Sequence, residues 1–209
     1  MSVFSLRPTV AALVLGFSSL SPAIAAPVAL DVGVWGSNGP SGLTRGYWFT
    51  APTDFLITGI YLPGRAAAGD GSTLELLRFN SDVTDYPTTT NNFSSLGFWA
   101  NVGSVSTSIQ VSAGDIIGVL GYSGGDNSTP YRNQGGNYST QLGGFNIDLV
   151  RLGFQGLGQA QNVWQEEGGT TGVIGLNYEL LNTVPEPAGL ALALSALALM
   201  GFVRRRPTV

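Results

Sequence analysis

Residues 145–154 read Phe-Asn-Ile-Asp-Leu-Val-Arg-Leu-Gly-Phe. Phe145, Ile147 and Leu149 alternate with polar neighbours, the period of a strand with one face buried. Val150, Leu152 and Phe154 continue the alternation one place out of phase, which predicts a bulge in the middle of the strand. Similar short runs lie on either side: 28–34, 46–51, 55–62, 73–79, 98–102, 107–111, 116–122 and 173–180. In 73–79 the pattern sets Leu74 and Leu76 against a core and turns Glu75 outward. Ser112-Ala113-Gly114-Asp115 joins two of these runs and reads as a hairpin turn, with glycine free to take positive φ. Thirty glycines and many Ser, Thr and Asn argue for turns rather than long helices. Neither βαβ spacing nor an internal repeat is present. The expectation is an all-β domain, an antiparallel β-sandwich or jelly roll.

Composition then removes whole classes of function. The stretch 27–183 is long enough for one domain with a real core. It carries five arginines (Arg45, Arg65, Arg78, Arg132, Arg151) and twelve acids, and the chain has no lysine. An acidic surface without clustered cations does not suit nucleic acid or anionic lipid. There is no cysteine and no histidine. The second absence removes the usual base at neutral pH, the commonest zinc ligand and every Ser-His or Cys-His nucleophile. Haem, copper and iron–sulfur sites lose their normal ligands as well. No catalytic residue and no cofactor is assigned, and the domain is read as non-enzymatic.

Two polar stretches, 80–96 and 123–144, exceed the usual length of a structureless loop, and such loops are commonly functional or mobile. Within the second, Tyr122, Tyr131, Arg132, Asn133 and Tyr138, with Gln134 and Asn137, offer rings for a sugar face and polar groups for hydroxyls. The same composition suits a solvated loop tip, and both readings stay open. Calcium has weak candidates in Asp126 with Asn127, or Asp70 with Gly71, but no D-x-D-x-D-G run is present. Glycoside hydrolysis would need two carboxylates across a cleft. Glu166 and Glu167 are adjacent and point to opposite faces of an extended chain, so they pair poorly. Trp35, Tyr47, Trp48, Phe49, Trp99 and Trp164 could line a groove, although aromatics beside strand signals more often fill a core.

Both ends differ in kind from the middle. Arg7, an apolar block over 10–20, the breaker Ser21-Pro22 and the small residues Ala23 and Ala25 follow the order of a secretory signal over 1–26, cleaved before Ala26 or Pro27. At the other end, Val184-Pro185-Glu186-Pro187 precedes 16 apolar residues over 188–203 and then Arg204, Arg205 and Arg206. At 1.5 Å per residue that block spans roughly 24 Å, a little short of the hydrocarbon layer. Snorkelling arginines and local thinning absorb the deficit, and the arginines mark the cytoplasmic side. The prolines keep the strip outside the membrane extended.

Pro185-Glu186-Pro187, the short apolar span and the arginine triplet, over 184–206, resemble the PEP-CTERM sorting signal. The resemblance implies recognition by exosortase, a membrane enzyme of Gram-negative bacteria, with cleavage near Pro185 to Pro187 and release to the cell surface or extracellular matrix. Signal peptidase would process the other end, and the apolar helix would hold the precursor in the inner membrane meanwhile. The function expected is a structural or adhesive role in the envelope or matrix. A carbohydrate-binding module for exopolysaccharide is the alternative, and a carboxylate-based glycoside hydrolase stands behind it.

Overall fold

The computed structural model describes residues 26–64 and 70–181. The signal residues Ala23 and Ala25, the sorting residues Pro185, Glu186, Pro187, Arg204, Arg205 and Arg206, and the apolar span 188–203 lie outside the described residues. So does Arg65. Among the described residues there is no helix long and apolar enough to cross a membrane.

Every ladder between strands is antiparallel. The first sheet takes β1 (Val28–Ala29), β13 (Gly175–Leu180), β4 (Phe55–Tyr61) and β7 (Ser104–Val111), in that spatial order. The second runs β10 (Tyr138–Leu142), β11 (Phe145–Phe154), β3 (Thr44–Thr50), β8 (Ile116–Tyr122), β5 (Thr73–Phe79) and β6 (Phe93–Ala100), with β12 (Trp164–Glu166) also on β11. A ribbon of β2 (Trp35–Asn38) and β9 (Pro130–Arg132) stands apart. The sequence pattern located β5, β8 and β11 to the residue. It missed β2, β9, β10 and β12, which are short and carry no run of alternating apolar residues.

The two larger sheets share one core. Tyr47 and Phe49 of β3, Leu74 and Leu76 of β5, and Ile117 and Val119 of β8 meet Phe55, Ile57 and Ile60 of β4 and Leu176 and Tyr178 of β13. Phe49 stacks on Phe55 at 6.4 Å, and Phe55 meets the edge of Tyr178 at 6.0 Å. The Tyr47 hydroxyl, with burial pushing its acidity well below that of a free phenol, donates to the Ile174 carbonyl at 2.9 Å.

Two sequence expectations, the bulge in β11 and the outward Glu75, fail for one physical reason: the outer face of the larger sheet is also covered. Leu77, Phe79, Leu120, Leu152 and Phe154 form a second cluster there with Val83, Ala160 and Val163. Since side chains alternate, Leu120 sits opposite Val119, and Leu77 opposite Leu76. The β11 ladders contain no register shift, so the expected bulge is absent. The phase of apolar residues changes because Ile147 and Leu149 enter the first core and Leu152 and Phe154 the second. Gly118 is required where this cluster closes on the sheet, since a Cβ would lie 2.8 Å from Leu152 and 2.9 Å from Phe79.

The cover is the polar stretch 80–92, zipped to 160–165. Thr90 and Val163 exchange backbone hydrogen bonds of 2.8 and 3.0 Å, and Gln165 donates to Thr84 at 2.8 Å. Phe93 to Leu96 belong to β6 and not to the loop. Likewise 123–144 contains β9 and β10. The turn at 112–115 is correct in its detail: Gly114 has φ of 89° and Asp115 accepts from the Ser112 amide at 2.9 Å. It is no hairpin, however. β7 pairs with β4 and β8 with β3 and β5, so the turn carries the chain from one sheet to the other.

Glu75 is the second of these two corrections. It is only 2 % exposed, with one carboxylate oxygen accepting from the Ala160 amide at 2.7 Å and the other from Ser95 Oγ at 2.8 Å. Burial raises its pKa, and the two hydrogen bonds oppose that rise. A raised native pKa means that the folded state binds the proton more tightly than the unfolded chain. Its stabilising contribution is therefore full below the unfolded carboxylate pKa and is lost as pH rises through the native value. Glu75→Gln should accordingly gain stability relative to the parent between about pH 4 and neutrality. Paired thermal melts across that range check it, and a pH-independent difference would contradict the assignment.

Candidate functional site

On β11 the outward positions Asn146, Asp148 and Val150 follow one another at period two. Val150 pairs with Trp48 of β3, and from there the ladder runs only toward Phe154. In the other direction the strands part: 145–149 pair with β10, while β3 continues beside β8 to Thr50. The resulting fork holds a groove of about 540 Å³. The β3 end from Trp48 to Pro52 lines one side, the β11 stretch 146–150 the other, and Asn137, Gln165 and Glu167 also contribute.

The polar groups divide into held and open ones. Asp148 accepts from Ser139 Oγ at 2.6 Å, and Asn146 Oδ1 accepts from Gln141 Nε2 at 3.0 Å. The amide nitrogen of Asn146 is thereby left facing no protein acceptor. No side-chain hydrogen bond is made by Thr50, Gln165 or Glu167 among the described residues. Trp48 packs against the second cluster, and its buried indole nitrogen has no acceptor. Among the described residues no arginine lines the groove.

The residues expected to face a ligand are placed differently. Tyr122, Tyr131 and Arg132 are buried, Tyr138 is half-buried, and Asn133 is exposed. Tyr122 donates to Asn127 Oδ1 at 2.6 Å. Arg132 lies over the Tyr138 ring at 4.7 Å and donates to the Gly136 carbonyl at 2.6 Å. The Tyr138 hydroxyl donates to Asp31 at 2.8 Å, which raises its pKa. Only Asn137 of that set reaches the groove.

Behind the ribbon lies a cation–aromatic stack. Arg45 and Arg151 sit 4.9 and 5.5 Å from the Trp164 ring centre, Tyr86 meets that ring edge-on at 5.2 Å, and Arg151 also lies 5.6 Å from Tyr131. Arg45, 2 % exposed, donates to the carbonyls of Thr44 and Phe154 at 2.8 and 2.6 Å. Burial lowers its pKa and raises that of Tyr131. Arg151 pairs with Glu166 at 2.8 Å, while Glu167 lines the groove, so the adjacent acids do serve different environments. Arg78 lies 3.1 Å from Asp115. The described arginines are thus all engaged with carbonyls, rings or carboxylates.

The weak calcium candidates do come together. Asp70 accepts from the amides of Ser72 and Gly125 at 2.9 and 3.3 Å, and Asp126 from Ser123 Oγ at 2.9 Å. The bonds to Ser72 and Ser123 are local turn bonds, and the one from Gly125 ties the two loops together. Among the described residues there is no group of three or more acids, histidines or cysteines arranged to hold a metal.

Comparison with known proteins places a PEP-CTERM protein-sorting motif at residues 183–206. No curated protein and no solved structure matches the chain.

Proposed function

We propose that this chain, which carries a PEP-CTERM sorting motif, is an exported protein whose β-sandwich domain has a non-catalytic structural or adhesive role at the cell surface or in the extracellular matrix. The observation that carries the reading is the three-part tail: a proline-flanked acid, a short apolar span and three arginines, matched as a unit over 183–206. The motif implies handling by exosortase after a transient stay in the membrane. Signal peptidase processing at Ala23 and Ala25 completes the route. A sequence without histidine or cysteine supports a role that needs no acid–base or nucleophilic side chain of those kinds.

Fractionation with mass spectrometry tests it. The mature form should begin at Ala26 or Pro27, end near Pro185 to Pro187 and appear outside the inner membrane. A chain retaining Met1 and found mainly in the cytosol overturns the proposal. A second reading, a carbohydrate-binding module, is favoured by the fork groove, where one indole wall faces amides and carboxylates.

A further inference from the structure

We infer that the fork between β3 and β11 is a binding site for a short, neutral or amine-bearing oligosaccharide segment. This rests on the carbohydrate reading given above and moves its location from the 122–138 residues to the groove beside Trp48.

Three observations converge. First, the volume of about 540 Å³ falls in the range of small-molecule clefts and gives room for more than one sugar ring. Secondly, the groove sets an aromatic wall against hydrogen-bonding groups, the pairing that a sugar needs: Trp48 offers apolar surface to C–H faces, while Asn146, Gln165 and Glu167 keep unused hydrogen-bonding capacity for hydroxyls. Asn146 and Asp148 are each held by a cross-strand neighbour on β10, Gln141 and Ser139, which reduces the ordering required when a ligand arrives.

The third observation is charge. Two carboxylates, Asp148 and Glu167, line the groove, and among the described residues no arginine does. A uronate or sulfated polymer would bring like charge to like charge, whereas an uncharged or amino sugar would not. The polymer class is therefore selected by repulsion as much as by attraction.

The test uses the processed protein purified from culture, with cellohexaose, chitosan hexamer and polygalacturonate as probes in titration calorimetry. The expected result is binding of at least one of the first two, with polygalacturonate at least tenfold weaker. Asn146→Ala and Glu167→Ala should each weaken the bound probe by about tenfold, about 1.4 kcal/mol. Asn133→Ala with Gln134→Ala, on the exposed tip outside the groove, should leave it unchanged. Thermal melts verify folding, and Gln165→Ala replaces either groove variant that melts early. Groove variants that bind as well as the parent overturn the site but leave the carbohydrate reading standing. No binding of any probe overturns both. Preference for polygalacturonate overturns the charge argument, and none of these outcomes touches the sorting route.

Discussion

Trp164→Ala should lower the unfolding free energy by about 3–5 kcal/mol, the usual range for deleting a buried large aromatic side chain. Trp164 is 3 % exposed and is the ring on which Arg45 and Arg151 both lie. Removing it opens a cavity and at the same time strips two guanidinium groups of their aromatic partner. Arg45 suffers most, being buried, paired with carbonyls and a ring and otherwise cut off from water. A domain of this size is typically stable by only about 5–15 kcal/mol, so the variant should lie near the limit of folding. Trp164→Phe should lose far less: it keeps most of the volume, and the indole nitrogen makes no hydrogen bond to lose. Denaturant titrations with unchanged slope measure both losses. A Trp164→Ala loss below about 1 kcal/mol would mean that the stack is incidental.

Deletion of Pro185 to Pro187 should convert a processed surface protein into a full-length inner-membrane species. The apolar span and arginine triplet remain in the sequence, so insertion and orientation should persist. What disappears is the Pro-Glu-Pro segment of the matched motif, whose prolines disfavour helix. The full-length form should then dominate in immunoblots of the membrane fraction, while the released form falls to background. Normal release of the deletion variant would remove exosortase handling from the account. The folded domain should be indifferent to the deletion, because residues 26–181 contain both cores; an unchanged melting temperature checks this.

Strands such as β5, β8 and β11 were legible because alternation and turn residues are local properties of the chain. The direction of Glu75 was legible too, since it does point away from Leu74 and Leu76, although Leu77 lies on the Glu75 face and not with them. The environment of Glu75 was not, because that depends on 80–92 and 160–165 arriving from distant parts of the sequence. The same blindness mistook the phase change in β11 for a bulge and the 112–115 turn for a hairpin. A pattern of period two reports which side a residue faces, never what waits there.

The candidate groove was less visible still. Asn146 and Asp148 looked like ordinary solvent-facing strand residues, and Trp48 like one aromatic among several. Conversely, Tyr131 and Arg132 looked available because their loop is polar, yet each is buried against rings and carbonyls. Sequence by itself determined the sorting motif over 183–206, since such motifs are read as linear order and composition, and it determined the all-β class, since strand and turn preferences act between near neighbours. Tertiary structure decided which sheet each strand joins, where the second core lies and where the fork opens. Those depend on which distant segments are brought into contact, and that choice is made by the packing of the whole domain.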